Sequence, residues 1–199
     1  MTTNDLLLAQ KLTLNDVMEI TRAEGDAWKL SHVHRVLKLI SLIGDGMAYD
    51  KTAVTIATYL HDWGAYPRFA QPGVEHALRS RQVAETMILP RMDLPETAVA
   101  IILETIEYHD YRDFRPVTST EALLLREADF LDFLGIIGLV REYGRGPKDL
   151  ISAPKAVLAR RGKIQDRFTL PIARQMAAVR LARLAQCLEW LEEESFDWL

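Results

Sequence analysis

The sequence predicts an all-α protein folded as a single-domain helical bundle. Apolar residues recur at three- and four-residue spacing along most of the 199 residues. Convincing alternating segments are absent, and proline and glycine fall mainly between the periodic stretches. Val33, Val36, Leu37, Ile40 and Ile43 form one stripe over 31–43, closed by Gly44 and Gly46. Asp50 is placed to cap the next helix, whose stripe is Ala53, Ile56, Ala57 and Leu60 and which stops by Gly64. Residues 65–73 hold Pro67 and Pro72 and read as a loop. Helices follow over about 74–88 and 95–108, with Pro95 suited to a first turn.

Thr118 and Glu121 have capping-box spacing and open a long helix to about Tyr143, where Gly144, Gly146 and Pro147 interrupt it. Gly135 and Gly138 within that helix suit close helix packing. After Pro171 an amphipathic helix over about 172–195 carries Leu181, Leu184, Leu188 and Leu191 on one side. That stripe either docks on the bundle or forms the seam of a homodimer.

The composition, 49% apolar and 26% charged, is that of an ordinary globular chain and excludes disordered, collagen-like and disulfide-scaffold classes. With 24 Lys and Arg against 28 Asp and Glu, nothing favours bulk binding to nucleic acid or to an anionic membrane. One cysteine, Cys187, cannot close an intrachain disulfide. The segment MTTNDLLLAQ lacks the basic start and apolar run of a signal peptide, and no stretch approaches the roughly 20 apolar residues of a membrane helix. A cytoplasmic protein without a membrane segment is the expectation.

The chemistry concentrates on a few polar residues set among apolar ones. His61 and Asp62 adjoin at the end of an apolar helix. Adjacent helical residues diverge by about 100°, so both can grip one ion only where the helix ends on a cavity. His32 opens the preceding helix with Arg35 on its face, whereas His34 lies about 200° around and points away. Asp129 stands between Leu125 and Phe133 at four-residue spacing, a position that calls for a cation, a metal or several donors. Trp28, Trp63 and Tyr66 flank these positions, as core residues or as a wall on which a base could stack.

The segments SHVHRV at 31–36, ATYLHDWG at 57–64 and EADFLDFLGIIGLVRE at 127–142 together resemble the HD-domain metal-dependent phosphohydrolase superfamily. The last of them is most similar to bacterial HD-domain nucleotide pyrophosphohydrolases. The likeness spans about residues 25–145. It implies a helical bundle with His32, His61, Asp62 and Asp129 as metal ligands, and hydrolysis of a phosphate ester or anhydride, of a nucleotide, by metal-activated water. His76 and His109 extend the order to one similar to dinuclear-iron HD proteins, either dinucleoside-polyphosphate hydrolases or diiron oxygenases. They stand as second-metal ligands or phosphate contacts, so one ion or two remain open. A non-catalytic nucleotide- or metal-binding HD module is the third reading.

A site of imidazoles and carboxylates suits Mn, Fe, Co, Ni, Zn or Mg rather than a thiolate-seeking ion. Asp62 and Arg35 are the catalytic candidates, Asp62 as ligand and base. Arg35, Arg79 and Arg112 are the candidate substrate contacts, with Arg126 a further cation, because phosphoryl transfer needs positive charge around the phosphate. Asp132, near Asp129, is a candidate for orienting a ligand histidine.

Overall fold

The computed structural model describes residues 3–8, 10–145 and 149–196, and among these all regular structure is helical. The Gly146–Pro147 interruption lies outside the described residues. The chain divides into two compact units, Met1–Arg126 and Glu127–Leu199.

The first unit holds α1 (Thr3–Leu8), α2 (Leu14–Glu24), α3 (Ala27–Ile43), α4 (Lys51–Leu60), α5 (His76–Val83), α6 (Glu96–Glu107) and the start of α7 (Thr120–Asp132). A 3-10 turn, Trp63–Ala65, follows α4, and α5 runs on through a π-helical segment, Ala84–Ile88, into a 3-10 turn at Leu89–Arg91. Helix α4 is the centre of this unit. Ala53, Val54, Ile56, Ala57, Thr58, Tyr59 and Leu60 are all buried, as expected of a helix packed on several sides, here by α2, α3 and α6. Its two ends are anchored differently. Asp50 caps the start, accepting the Ala53 N–H at 2.9 Å. Beyond the C-terminus Trp63 is fully buried, stacked on Phe69 with ring centroids 5.0 Å apart, and its Nε1 donates to Thr21 Oγ1 at 3.0 Å. Tyr66 is buried as well, so these two aromatics are core, while Trp28 is exposed.

The second unit holds the end of α7, then α8 (Gly135–Gly144), α9 (Ser152–Ile164) and α10 (Pro171–Glu194). Leu139, Val157 and Leu184 form its buried cluster, with Tyr143, Cys187 and Leu188 packed against it. The leucine stripe of α10 therefore docks on α8 and α9. Glu127 fastens the start of α10, accepting from Thr169 N at 2.7 Å, Thr169 Oγ1 at 2.6 Å and Leu170 N at 3.1 Å. Burial raises the Glu127 carboxyl above its ordinary range, with these donors pulling the other way.

Several boundaries differ from the sequence expectation, each for a local reason. Helix α3 starts at Ala27 because Asp26 caps it, accepting the Lys29 N–H at 2.9 Å; its first turn carries no apolar stripe to announce it. Glu121 does not close a capping box with Thr118. Its carboxylate accepts the N–H of Asp50 at 2.9 Å, tying the start of α7 to the start of α4. The long helix to Tyr143 is two helices, because Gly135 takes φ +73°, a left-handed conformation that ends α7 and starts α8. A Cβ on Gly138 would lie 2.0 Å from the Phe133 carbonyl oxygen, so that glycine makes room for the break rather than for a neighbouring helix. Helices α1, α2 and α9 are additions to the sequence expectation; α2 opens with a capping box in which Thr13 Oγ1 accepts the Asp16 N–H at 3.3 Å and Asp16 Oδ2 accepts the Thr13 N–H at 2.8 Å.

Candidate metal centre

Helix α4 ends at Leu60, and Asp62 adopts φ −103°, ψ 4°, the sparsely populated bridge region. This turn removes the 100° divergence of adjacent helical residues and brings His61 and Asp62 to one place. His61 is fully buried, and its Nδ1 donates to the Thr58 carbonyl at 2.7 Å. A carbonyl only accepts, so the ring hydrogen sits on Nδ1 and the Nε2 lone pair faces the site. His109, just past the end of α6, repeats the device with the Ile106 carbonyl at 2.6 Å.

Two imidazole pairs flank Asp62. His32 Nε2 and His61 Nε2 are 3.2 Å apart, and Asp62 Oδ2 is 3.8 and 3.6 Å from them. On the other side His76 Nε2 and His109 Nε2 are also 3.2 Å apart, with Asp62 Oδ1 at 3.3 and 3.8 Å. The carboxylate thus presents one oxygen to each pair. Burial pushes the Asp62 carboxyl up, but the surrounding imidazoles of His61, His109, His76 and His32 outweigh it and hold the group well below the usual carboxylate range. It is an anion at neutral pH.

The donor set fits a divalent ion on each side. Two imidazole nitrogens bound to one ion at about 2.0–2.1 Å and about 100° apart stand about 3.2 Å from each other. A mixed nitrogen and carboxylate set is the chemistry of borderline first-row ions. His32, His61 and Asp62 form one group of potential ligands, and Asp62, His76 and His109 a second.

The approach of His76 depends on Gly64. A Cβ there would lie 2.2 Å from the His76 carbonyl oxygen and 2.6 Å from Ser80 N, and the Gly64 N–H donates to Ser80 Oγ at 2.8 Å. The glycine after the His-Asp-Trp run therefore lets the start of α5 lie directly on the turn that holds Asp62.

The loop after α6, Asp-Tyr-Arg-Asp-Phe-Arg at 110–115, is built from two successive turns of one kind. Asp110 Oδ1 accepts the Arg112 N–H at 2.9 Å and Asp113 Oδ1 accepts the Arg115 N–H at 2.8 Å; each arginine also binds its aspartate through Nε and Nη2. Asp110 is buried. Burial raises its carboxyl and the Arg112 hydrogen bonds overcome this, leaving it below its ordinary range. Its Oδ2 is 3.4 Å from His76 Nδ1, and Arg112 Nη2 is 2.7 Å from the same nitrogen. Asp110 was absent from the sequence-derived set; the repeated His-Asp pair at 109–110 was the available signal. A cavity of about 590 Å³ opens beside this loop, lined in part by Glu75, Leu78, Asp110, Arg112, Phe114 and Arg115.

The remaining candidates fall in different places. Arg35 is half-buried one turn beyond His32, with Nη1 3.2 Å from Ser31 Oγ. Arg79 turns to the loop before α5, its Nε donating to the Phe69 carbonyl at 2.6 Å and Nη1 reaching Gln82 at 3.4 Å. Arg126 donates to the carbonyls of Arg115, at 3.1 Å, and Asp113, so it braces the loop. His34 is exposed, as its phase on α3 predicts. Asp129 and Asp132 belong to the second unit. Both are buried, and Asp132 Oδ2 accepts from Arg141 Nη1 at 2.5 Å.

No described helix is long and apolar enough to cross a membrane. Solved structures resemble the chain over almost its whole length. A predicted HD superfamily hydrolase from an uncultured Thermotogales bacterium is 24% identical, with 98% of this chain and 99% of that one covered and a TM-score of 0.67. Bacillus subtilis YpgQ in complex with ADP is 20% identical over 92% and 97% of the two chains, with a TM-score of 0.68. An HD-superfamily hydrolase from Bacillus thuringiensis is 19% identical over 98% and 99%, at 0.64. At such identities the likeness is one of fold. No curated protein matches. The HD domain family itself matches residues 30–134, more than half of the sequence, and with the His-Asp turn at its centre the chain belongs to that family.

Proposed function

We propose that this chain is a metal-dependent phosphohydrolase that works with two divalent ions and cleaves a phosphate ester or anhydride of a nucleotide. The observation that carries this reading is the placement of Asp62, one oxygen toward His32 and His61 and the other toward His76 and His109. A carboxylate with one oxygen toward each imidazole pair would let Asp62 serve two ions, held by His32 and His61 and by His76 and His109, which goes beyond the one-ion set of His32, His61, Asp62 and Asp129. When bound, such ions acidify water toward neutral pH and draw charge from a phosphoryl oxygen.

The chain's own residues do the rest. His61 and His109 are locked with Nε2 facing inward by their carbonyl partners. Asp62 is held ionised and is a weak proton acceptor, which suits bridging and orienting a water better than taking its proton. Arg35, Arg79 and Arg112 are the candidate cations for phosphate charge; Arg79 Nε is held by the Phe69 carbonyl and Arg112 by Asp110. Asp129 stays with the ligands through the family resemblance, and loss of an ion in Asp129→Ala is its test. The ADP bound to YpgQ supports a nucleotide as the substrate class.

Elemental analysis of protein purified without chelator or affinity tag, followed by a nucleotide panel with the metal found, tests the proposal. Two equivalents with release of phosphate or pyrophosphate is the expected result. No metal, and none taken up on reconstitution, would overturn it and leave a binding module. The four-histidine arrangement also suits the dinuclear-iron reading. Two irons with dioxygen consumption and no phosphate release would put an oxygenase first, and dinucleoside polyphosphates in the same panel would reveal that hydrolase activity.

A further inference from the structure

His76 differs from His61 and His109 in where it sits on its helix. The last-turn carbonyls of a helix lack intrahelical partners, so a histidine at that end can give its Nδ1–H to one of them. His61 and His109 do so. His76 is the first residue of α5, where the free backbone groups are N–H. A histidine there needs an acceptor from another segment if its Nε2 is to carry a lone pair into the site.

Asp110 is that acceptor in waiting. Its Oδ2 lies 3.4 Å from His76 Nδ1, and Arg112 fixes it through the backbone N–H at 2.9 Å, Nε at 2.9 Å and Nη2 at 2.6 Å. Arg112 Nη2 is nearer to the ring, 2.7 Å from Nδ1. A guanidinium only donates. In this arrangement Nδ1 accepts, and the ring hydrogen sits on Nε2 facing Asp62 Oδ1 at 3.3 Å. That tautomer offers no lone pair to a cation.

We infer that Asp110 is the positioning residue that makes His76 a metal ligand, by exchanging places with Arg112 on Nδ1. The inference rests on the two-ion reading above. In the exchange the ring loses the hydrogen on Nε2 and gains one on Nδ1 through solvent, with no net change of charge. Nδ1–H then donates to Asp110, and one Nη2 hydrogen of Arg112, whose Nη2 stays bound to Asp110, is freed beside the cavity, where an anionic oxygen of a substrate could take it. Orienting carboxylates of this kind typically matter 10- to 100-fold in metal affinity.

The test is Mn(II) titration of the chelator-stripped full chain, read by electron paramagnetic resonance. Wild type should take two equivalents with an exchange-coupled spectrum. Asp110→Ala and Asp110→Asn should keep the first and bind the second 10- to 100-fold more weakly, with circular dichroism and melting temperature showing that they fold. Arg112→Ala, which removes the competing donor, should bind the second ion at least as tightly as wild type. A drop matching that of Asp110→Ala would overturn the exchange. Nitrogen NMR of His76 should show the hydrogen on Nε2 in the stripped protein and on Nδ1 after Zn(II) is added; an unchanged tautomer would overturn it too. Wild-type second-site affinity in Asp110→Ala sinks the assignment of Asp110 alone. Uptake of one equivalent by wild type, matched by His76→Ala, sinks the two-ion reading itself.

Discussion

The two imidazole pairs around Asp62 have the same nitrogen separation and differ in enclosure. His32 and His61 are 2% and 0% exposed. In the other pair His109 is 1% exposed, but the His76 side chain keeps 22% of its surface open, beside residues that line the cavity. The difference follows from the helices. His61 ends a helix surrounded by others, whereas His76 starts a short helix that Gly64 allows onto the turn. One side of the centre is thus part of the core, and the other meets solvent and whatever enters from it.

Asp62→Ala is the largest expected effect because it removes the group common to both pairs. It should lose both metal equivalents and turnover together while the helical circular-dichroism signal stays largely intact. Full activity would break the comparison at its root. Next come the single-sided variants. His61→Ala empties a buried position and leaves the Thr58 carbonyl without its donor. It should cost about 2–3 kcal/mol on the scale of buried large-to-small changes, lowering the melting temperature by roughly 5–10 °C. His76→Ala should stay within about 1 kcal/mol of wild type in stability yet still lose the second equivalent. Equal stability losses in the two would mean that enclosure does not separate the pairs. Gly64→Ala sharpens the same contrast. The added carbon meets the His76 carbonyl at 2.2 Å and must displace α5, at a cost of about 1–3 kcal/mol. The second ion should weaken and the first persist, as read by the same Mn(II) titration.

The enclosed side of the centre was more legible in the sequence than the open one. Periodicity reports which residues share a face within one helix, and His32, His61 and Asp62 sit on or just beyond strongly periodic helices. Asp110 lies 3.4 Å from His76 across 34 positions, through a loop whose course no periodicity encodes, marked only by the repeated His-Asp pair and the repeated Asp-x-Arg turns. Glu121 shows the limit from the other direction. Its spacing from Thr118 is that of a cap, yet its carboxylate serves Asp50, 71 residues earlier. Gly135 and Gly138 were visible as glycines at helical spacing. Gly135 does both: its φ of +73° breaks the helix, and it admits α10, since a Cβ there would lie 3.2 Å from Arg180 Cβ. Arg79 was read as a cation for phosphate, and the Phe69 carbonyl that engages it became visible only once the loop before α5 was placed.

The smallest expected effect tests the helix phase on which the comparison stands. His34 is two residues from His32, about 200° around α3 by the geometry of 3.6 residues per turn. It is exposed and meets the Tyr59 ring edge-on, with centroids 6.5 Å apart. His34→Ala should therefore keep both metal equivalents and change stability by no more than about 0.5 kcal/mol, the range of a surface substitution. Loss of a full equivalent in this variant would show that His34 helps to hold an ion and that the helix phase is wrong. The distinction between the pairs would then rest on histidine number rather than on which nitrogens Asp62 faces.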